Sequence, residues 1–261
     1  MPALSGRSCI LAFTPCDVHG RTAQQLHAMK PSHADFFIDK GYVRLEGFHP
    51  QKRIAGIRQK LLDEIKRLKA LPGGKSLSSA LQNLPLFQQI GKLSALAKVP
   101  GVHEALVTPA LIDCVTQLGG RAPTAIQDTQ LLLSPPLQGA STFTGLNWHV
   151  DVSAQPQDPL PGIQAFFLID DVASGGGATL ALAGSHRVGT PGWPAASALR
   201  QVLKTTDDLE RSLHPLGIGL IEMSGHAGDV FLMDLRLLHT PSVNATKNVR
   251  MMATTRCFMN T

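Results

Sequence analysis

His149 and Asp151 stand two residues apart, and a second histidine, His239, and an arginine, Arg250, follow much later in the chain. Residues two apart on an extended strand point the same way, so the first pair can bind one metal ion together. With His239 they make a set of two histidines and one carboxylate, which leaves three positions of an octahedral ion open. Such a set is typical of non-haem Fe(II) sites that use dioxygen. We therefore predict that His149, Asp151 and His239 are the metal ligands and the catalytic centre.

Arg250 adds a cation that cannot lose its charge in the same region. A planar guanidinium binds a carboxylate through two parallel hydrogen bonds, which a lysine cannot do. Its position after the distal histidine indicates a dicarboxylate co-substrate held beside the metal.

Short β-prone runs separated by turns dominate the chain after Arg121, and they must position these residues. Such a series predicts a double-sheet jelly roll, in a mainly β protein with α-helices. The predicted strands are residues 125–133, 143–152, 162–168, 179–182, 218–221, 229–233 and 250–259.

Helical patterns occupy the first half of the chain and predict a layer that backs the jelly roll. Apolar residues recur at helical spacing from Ile54 to Leu68, a short helix ends at Gly41, and a further helix is expected over 102–118. Residues 1–30 lack periodicity and are expected to form a leader, either flexible or a loose strand. We expect residues 31–261 to form a single domain, with an insertion at about 188–216 that acts as a lid or pocket wall.

The composition is that of a turn-rich globular protein, with 43% hydrophobic residues, Gly 24 and Pro 18. No apolar run approaches the ~20 residues needed to cross a bilayer, so no membrane span is expected. Four cysteines without metal-finger spacing, and no secretory signal, predict reduced thiols in the cytoplasm. The net charge of +5 comes from scattered basic residues, which we interpret as a solvated surface.

These residues and their surroundings resemble the phytanoyl-CoA dioxygenase family of Fe(II)/2-oxoglutarate-dependent oxygenases. The resemblance covers roughly residues 34–258 and rests on several motifs in the expected order. These are Gly41-Tyr42, residues 147–151, 169–171, 175–179, 183–187, 228–230 and 234–239, Asn244 and Arg250.

By that resemblance, His149, Asp151 and His239 would ligate Fe(II), and Arg250 would pair with the C5 carboxylate of 2-oxoglutarate. The keto-acid end would chelate the iron and leave one position for dioxygen, and turnover would yield succinate, carbon dioxide and an oxidised substrate. Asp151 is the carboxylate that halide-transferring relatives lack, which favours hydroxylation over halogenation.

One position departs from the family pattern. Many relatives carry a serine two residues after the arginine, where it helps to bind the co-substrate, and here that residue is Met252. Gln127 is the first candidate to replace the contact, unless its side chain is satisfied within the sheet, and Thr129 and Thr144 are weaker candidates. Trp148 either lines the co-substrate pocket or packs in the core.

The expected substrate is a small molecule, such as a natural-product intermediate of secondary metabolism or a lipid-like compound. We expect its specificity to come from three segments, residues 72–100, 136–146 and 188–216. Two alternatives remain. Arg250 and Arg256 fit the Arg-x5-Arg pattern of AlkB-type nucleic-acid dealkylases, but no aromatic and basic stripe suited to single-stranded bases accompanies them, so no nucleic acid is expected. The other alternative is a non-catalytic, ligand-binding jelly roll.

Overall fold

The computed structural model describes residues 29–69, 81, 83–139, 143, 145–205 and 208–259. The predicted leader therefore lies almost wholly outside the described residues. The α-helices of the described part are α1 Pro31–Lys40, α2 Gln51–Arg67, α3 Leu86–Leu96, α4 Val102–Leu106, α5 Pro109–Gly119, α6 Ala196–Thr205 and α7 Leu209–Leu213. The strands are β1 Tyr42–Leu45, β2 Ala125–Ile126, β3 Gln130–Ser134, β4 Gly162–Leu168, β5 Thr179–Ala183, β6 Gly219–Glu222, β7 Val230–Asp234, β8 His239–Pro241 and β9 Arg250–Phe258.

Two antiparallel sheets form the β part of the molecule. The large sheet has the order β1-β7-β4-β9-β2, and β3 also pairs with β9. The small sheet has the order β6-β5-β8 and is extended by a bridge between His149 and His239. This double-sheet arrangement with surrounding helices confirms the predicted jelly roll.

Strict alternation along the strands gives the large sheet two different faces. On β4, Ala165 and Phe167 belong to an apolar cluster shared with the helices, whereas Phe166 and Leu168 belong to a second cluster between the sheets. Successive side chains of a strand point to opposite faces, so one strand serves both layers. On β9, Met252 also belongs to the cluster between the sheets, so the predicted co-substrate contact Arg250, two residues earlier, lies on the face turned towards the small sheet.

The N-terminal helices cover the other face of the large sheet, as predicted. In α2 the residues Ile54, Ile57, Leu61 and Ile65 are buried in the helix-side cluster. The helix α1 ends at Gly41, whose φ of 78° is left-handed and favours glycine. None of the helices in the described ranges is long and apolar enough to cross a membrane.

Several predicted boundaries were wrong. The helix expected over 102–118 is two helices, because Pro109 starts α5 behind the Thr108 cap, whose side chain accepts from the Leu111 N–H. The strand expected over 125–133 is divided into β2 and β3. Within the predicted strand 143–152, the described residues make only the isolated bridge at His149.

The insertion at 188–216 carries α6 and α7 and packs on the outer side of the small sheet. Its residues Leu199, Leu209 and Leu213 share a cluster with Leu182 of β5. Leu182 alternates with Ala181, which faces the large sheet, so the insertion lies on the opposite face. None of its described residues lines the cavity discussed below, whereas α3, inside the segment 72–100, forms part of the cavity wall.

Candidate active site

The three predicted ligands converge at one end of the small sheet. The backbone of His149 and that of His239 exchange hydrogen bonds, 3.0 Å from the His149 N–H to the His239 oxygen and 2.9 Å in return. The N–H of Asp151 donates to the carbonyl of Leu235 at 3.2 Å, which holds the segment against the turn before β8. One ligand atom from each of the three residues lies within 4.8 Å of the others. A single metal ion can reach all three.

Both imidazoles are oriented by the backbone. Nδ1 of His149 lies 3.0 Å from the carbonyl of Asn147, and Nδ1 of His239 lies 3.1 Å from the carbonyl of Leu237. A carbonyl oxygen only accepts, so each Nδ1 must carry the proton and donate it. Nε2 of each ring is then the nitrogen available to a metal, and metal-binding histidines usually donate from the other ring nitrogen to a carbonyl in this way.

Burial keeps His239 in the form that a ligand requires. Desolvation lowers the pKa of His239 to about 4, and the proximity of Asp151 opposes that shift only in part. The ring is therefore neutral at physiological pH. Its Nε2 lies 3.7 Å from Oδ2 of Asp151, which is a contact of a neutral ring with a carboxylate and not an ion pair.

Asp151 uses its two oxygens differently. Oδ1 accepts a hydrogen bond of 2.6 Å from Nη2 of Arg256, whereas Oδ2 is buried and has no partner. A buried carboxylate oxygen without a partner is costly, unless a cation completes its environment. The unsatisfied Oδ2 lies 3.7 Å from Nε2 of His239, so the donor set fits Fe(II), and Asp151 would hold the ion with this oxygen.

Arg256 is a candidate site residue that was not among the predicted ligands or co-substrate contacts. In the sequence it stands out only as the second arginine of the Arg-x5-Arg pattern. It lies six residues after Arg250 on β9, and even spacing places both side chains on the same face of a strand. That parity was the signal available in the sequence. The structure brings both arginines into one cavity with the metal ligands.

Arg250 is buried, with 4% of its surface exposed, and no carboxylate of the described residues forms an ion pair with it. Its Nη1 donates to the carbonyl of Leu132 at 3.1 Å, and its Nε is buried without a partner. Desolvation lowers the pKa of Arg250 to about 10, so the group stays charged. A buried cation with unused donors is suited to a carboxylate ligand such as 2-oxoglutarate.

Of the other predicted co-substrate contacts, the structure describes Gln127, Thr129 and Trp148. Gln127 is exposed and accepts from Nη1 of Arg256 at 3.3 Å, which corresponds to a side chain satisfied within the sheet. Thr129 lines the cavity, but its hydroxyl bonds to that of Thr255 at 2.7 Å. Trp148 packs with the cluster beside the insertion, and Thr144 lies outside the described residues. Met252, at the family's serine position, is buried between the sheets.

One cavity of about 880 Å³ contains the ligands and both arginines. The helix α3 and the segment that follows it supply an apolar wall that includes Phe87, Ile90, Val99 and Val102. The helix is fixed to the sheet by the hydroxyl of Ser94, which accepts from the Leu133 N–H at 2.8 Å. The cavity can therefore take a partly apolar molecule next to the three candidate ligands.

Solved structures with a similar fold include an enzyme that depends on α-ketoglutarate and a protein with bound 2-oxoglutarate. The non-haem α-ketoglutarate-dependent carbocyclase SnoK from nogalamycin biosynthesis matches with a TM-score of 0.55 and 16% identity, over 92% of this chain and 87% of that chain. The structure of EctD from S. alaskensis with 2-oxoglutarate and 5-hydroxyectoine matches with a TM-score of 0.59 and 19% identity, over 88% of this chain and 76% of that chain. At these identities the likeness establishes the fold. No curated protein sequence matches the chain.

The family comparison covers the ligand segment, most of the helical layer and the sheets up to the start of β9. The family model of phytanoyl-CoA dioxygenase (PhyH) matches residues 37–252, which includes all three predicted ligands and Arg250. The chain therefore belongs to the phytanoyl-CoA dioxygenase family of Fe(II)/2-oxoglutarate-dependent oxygenases.

Proposed function

We propose that the cavity binds Fe(II) through His149, Asp151 and His239 and binds 2-oxoglutarate through Arg250, and that it oxidises a small molecule. Hydroxylation is the outcome that the ligand set favours, because Asp151 supplies the carboxylate. Fe(II) with 2-oxoglutarate and dioxygen supplies the oxidant for a C–H bond, and the co-substrate leaves as succinate and carbon dioxide.

The observation that carries the proposal is the convergence of a complete donor set and an unpaired cation in one cavity. Three ligand atoms lie within 4.8 Å of one another, and the buried Arg250 has no acidic partner among the described residues. The protein's own part is to present Nε2 of His149 and of His239 to the metal, to hold the distal carboxylate of 2-oxoglutarate with Arg250, and to give the substrate an apolar wall.

The substrate class is supported by the cavity and by the similar structures. The wall of α3 favours a molecule with an apolar body, either a natural-product intermediate or a lipid-like compound. The similar structures include an epimerase, SnoN, in complex with Fe³⁺, α-ketoglutarate and nogalamycin RO, with a TM-score of 0.52 and 18% identity over 91% of this chain and 84% of that chain. We propose the cytoplasm as the site of action, on the reduced state expected for the cysteines.

The test is anaerobic reconstitution with Fe(II) and 2-oxoglutarate, followed by dioxygen and a screen of small molecules. We expect succinate release that requires Fe(II) and that a substrate accelerates. His239→Ala is the matched negative control, because it removes one ligand. Absence of succinate under all these conditions would contradict the proposal and favour a non-catalytic, ligand-binding jelly roll.

The family match also favours the proposed small-molecule oxygenase activity over the alternative activity, that of a nucleic-acid dealkylase. Both arginines of the Arg-x5-Arg pattern point into the cavity, but Arg256 is engaged by Asp151 and Gln127. The matched family is that of phytanoyl-CoA dioxygenase, so the small-molecule oxygenase is the better-supported activity.

A further inference from the structure

Gln164 is a buried polar residue of the cavity to which the proposed function gives no role. It lies on β4 with 2% of its surface exposed, and it lines the cavity beside the metal ligands. Its Oε1 is buried and has no hydrogen-bond partner. A buried amide oxygen without a hydrogen-bond partner costs free energy, so a ligand that donates to it gains affinity.

The orientation of the Gln164 amide follows from its neighbours. Its Nε2 lies 2.9 Å from the hydroxyl of Thr254, and that hydroxyl lies 2.9 Å from the carbonyl of Ala165. The carbonyl can only accept, so the single proton of Thr254 must go to it. Thr254 can then only accept from Gln164, which turns the amide nitrogen to Thr254 and leaves Oε1 as the unpartnered atom.

A complementary donor lies directly opposite. Gln164 and Arg256 are register partners of β4 and β9, and both line the cavity. The two Nη atoms of Arg256 are engaged by Gln127 and Asp151, whereas its Nε is buried without a partner. The pair therefore offers one acceptor and one donor, and the donor is on the same arginine whose Nη2 donates to Oδ1 of Asp151.

Two other buried polar atoms of the cavity lack hydrogen-bond partners, and the proposed function supplies a partner for each of them. Among the described residues, four of the buried polar atoms without partners belong to side chains of this cavity: Oδ2 of Asp151, Nε of Arg250, Oε1 of Gln164 and Nε of Arg256. The metal accounts for the first and the co-substrate for the second. The last two remain for the substrate, because 2-oxoglutarate has no hydrogen-bond donor for Oε1.

We propose that Gln164 and Arg256 form the polar subsite for the oxidised substrate, and that this substrate carries a neutral hydroxyl group. A hydroxyl donates its proton to Oε1 of Gln164 and accepts from Nε of Arg256, so it satisfies both atoms at once. A carboxylate has no proton for Gln164, and an ether has none either. The substrate class is thus an alcohol whose apolar body lies against the wall of α3, and the inference rests on the proposed function of the cavity.

The experiment compares an alcohol with its methyl ether on the same rigid body. The probes are 1-adamantanol and 1-methoxyadamantane, whose shapes differ only at the oxygen substituent. Binding is measured by saturation-transfer NMR on protein loaded with 2-oxoglutarate and with Zn(II), which does not react with dioxygen. We expect the alcohol to bind on the order of tenfold more tightly, the effect of one hydrogen bond to a buried acceptor.

Two variants test the residues behind the preference. Gln164→Met keeps the length of the side chain and removes the acceptor, so the two probes should bind equally. Thr254→Val removes the hydroxyl that orients the amide, so the preference should fall while both probes still bind. Ile163→Val is the matched control, because Ile163 lies on the same strand in the helix-side cluster, and the tenfold preference should persist.

The outcomes separate this inference from the proposed function. Equal binding of the two probes to the wild-type protein, or binding of neither, would overturn it and leave a water molecule between Gln164 and Arg256. Persistence of the preference in Gln164→Met would also overturn it. Succinate release from the Fe(II)-loaded protein is measured in parallel, so that loss of the substrate subsite and loss of the oxygenase activity cannot be confused.

Discussion

The two faces of β9 differ sharply in the kind of side chain they bury. Met251, Ala253 and Cys257 point to the helices and are buried among apolar side chains. Arg250, Thr254 and Arg256 point to the small sheet and line the cavity. One strand thus alternates between residues that stabilise the fold and residues that bind ligands.

The difference shows where this protein has unsatisfied polar groups. On the cavity face, Nε of Arg250 and Nε of Arg256 are buried without partners, although native structures pair most such atoms. The helix-side face buries thiols and thioethers, and burial raises the pKa of Cys257 to about 11, which keeps it a neutral thiol. The cavity face is therefore held ready for ligands, whereas the other face contributes packing.

Loss of a metal ligand should have the largest effect on the cavity face. His149→Ala, His239→Ala and Asp151→Gly each remove one of three protein ligands, and we expect succinate release to fall to background. The measurement is turnover together with the iron content of the reconstituted protein. Turnover at the wild-type level in any of the three would remove that residue from the ligand set.

Arg250→Met should separate binding from stability. The concentration of 2-oxoglutarate at half saturation should rise by on the order of 100-fold, because the charged partner of a carboxylate is lost. Without ligand, the free energy of unfolding of the variant should equal or exceed that of the wild type, because an unpaired buried charge is replaced by an apolar chain. Co-substrate titration and denaturant unfolding test both parts, and an unchanged half-saturation would contradict the assignment.

Met251→Ala, one residue along on the other face, should show the reverse pattern. Truncation of a buried methionine lowers the free energy of unfolding by about 2–5 kcal/mol. The concentration of 2-oxoglutarate at half saturation should stay at the wild-type value. A large change in co-substrate affinity, measured where the variant is fully folded, would show that the two faces of β9 are not independent.

Arg256→Gln should act on the metal through Asp151. The bond of 2.6 Å from Arg256 holds Oδ1 and leaves Oδ2 for the ion. Loss of a residue that orients a ligand typically costs about 10–100-fold in metal affinity. Titration with Co(II) under anaerobic conditions measures this directly, and affinity equal to that of the wild type would exclude the positioning role.

Gln127→Ala should have the smallest effect. Its side chain is exposed and its contact with Arg256 is long, at 3.3 Å, so the free energy of unfolding should change by no more than about 0.5 kcal/mol. The co-substrate requirement should also be unchanged. A raised half-saturation would instead support the sequence-based prediction that Gln127 replaces the family's serine.

Local spacing was enough to predict the first pair of candidate ligands and the buried face of the helical layer. The two-residue separation of His149 and Asp151 is the period of an extended chain, and the spacing of Ile54, Ile57, Leu61 and Ile65 is that of a helix. Both periods are properties of the backbone, so they can be read without tertiary structure. The run of family motifs then supplied His239 and Arg250 as partners.

Only the tertiary structure decided which side chains stand around these residues. The contact of Arg256 with Asp151 and the pairing of Gln164 with Arg256 depend on the register between strands far apart in sequence. That register is set by the packing of two sheets and a helical layer, and no local pattern encodes it. For the same reason, the sequence could name the segments 72–100 and 188–216 as candidates for substrate contacts but could not distinguish between them, and only the structure shows that α3 of the first lines the cavity.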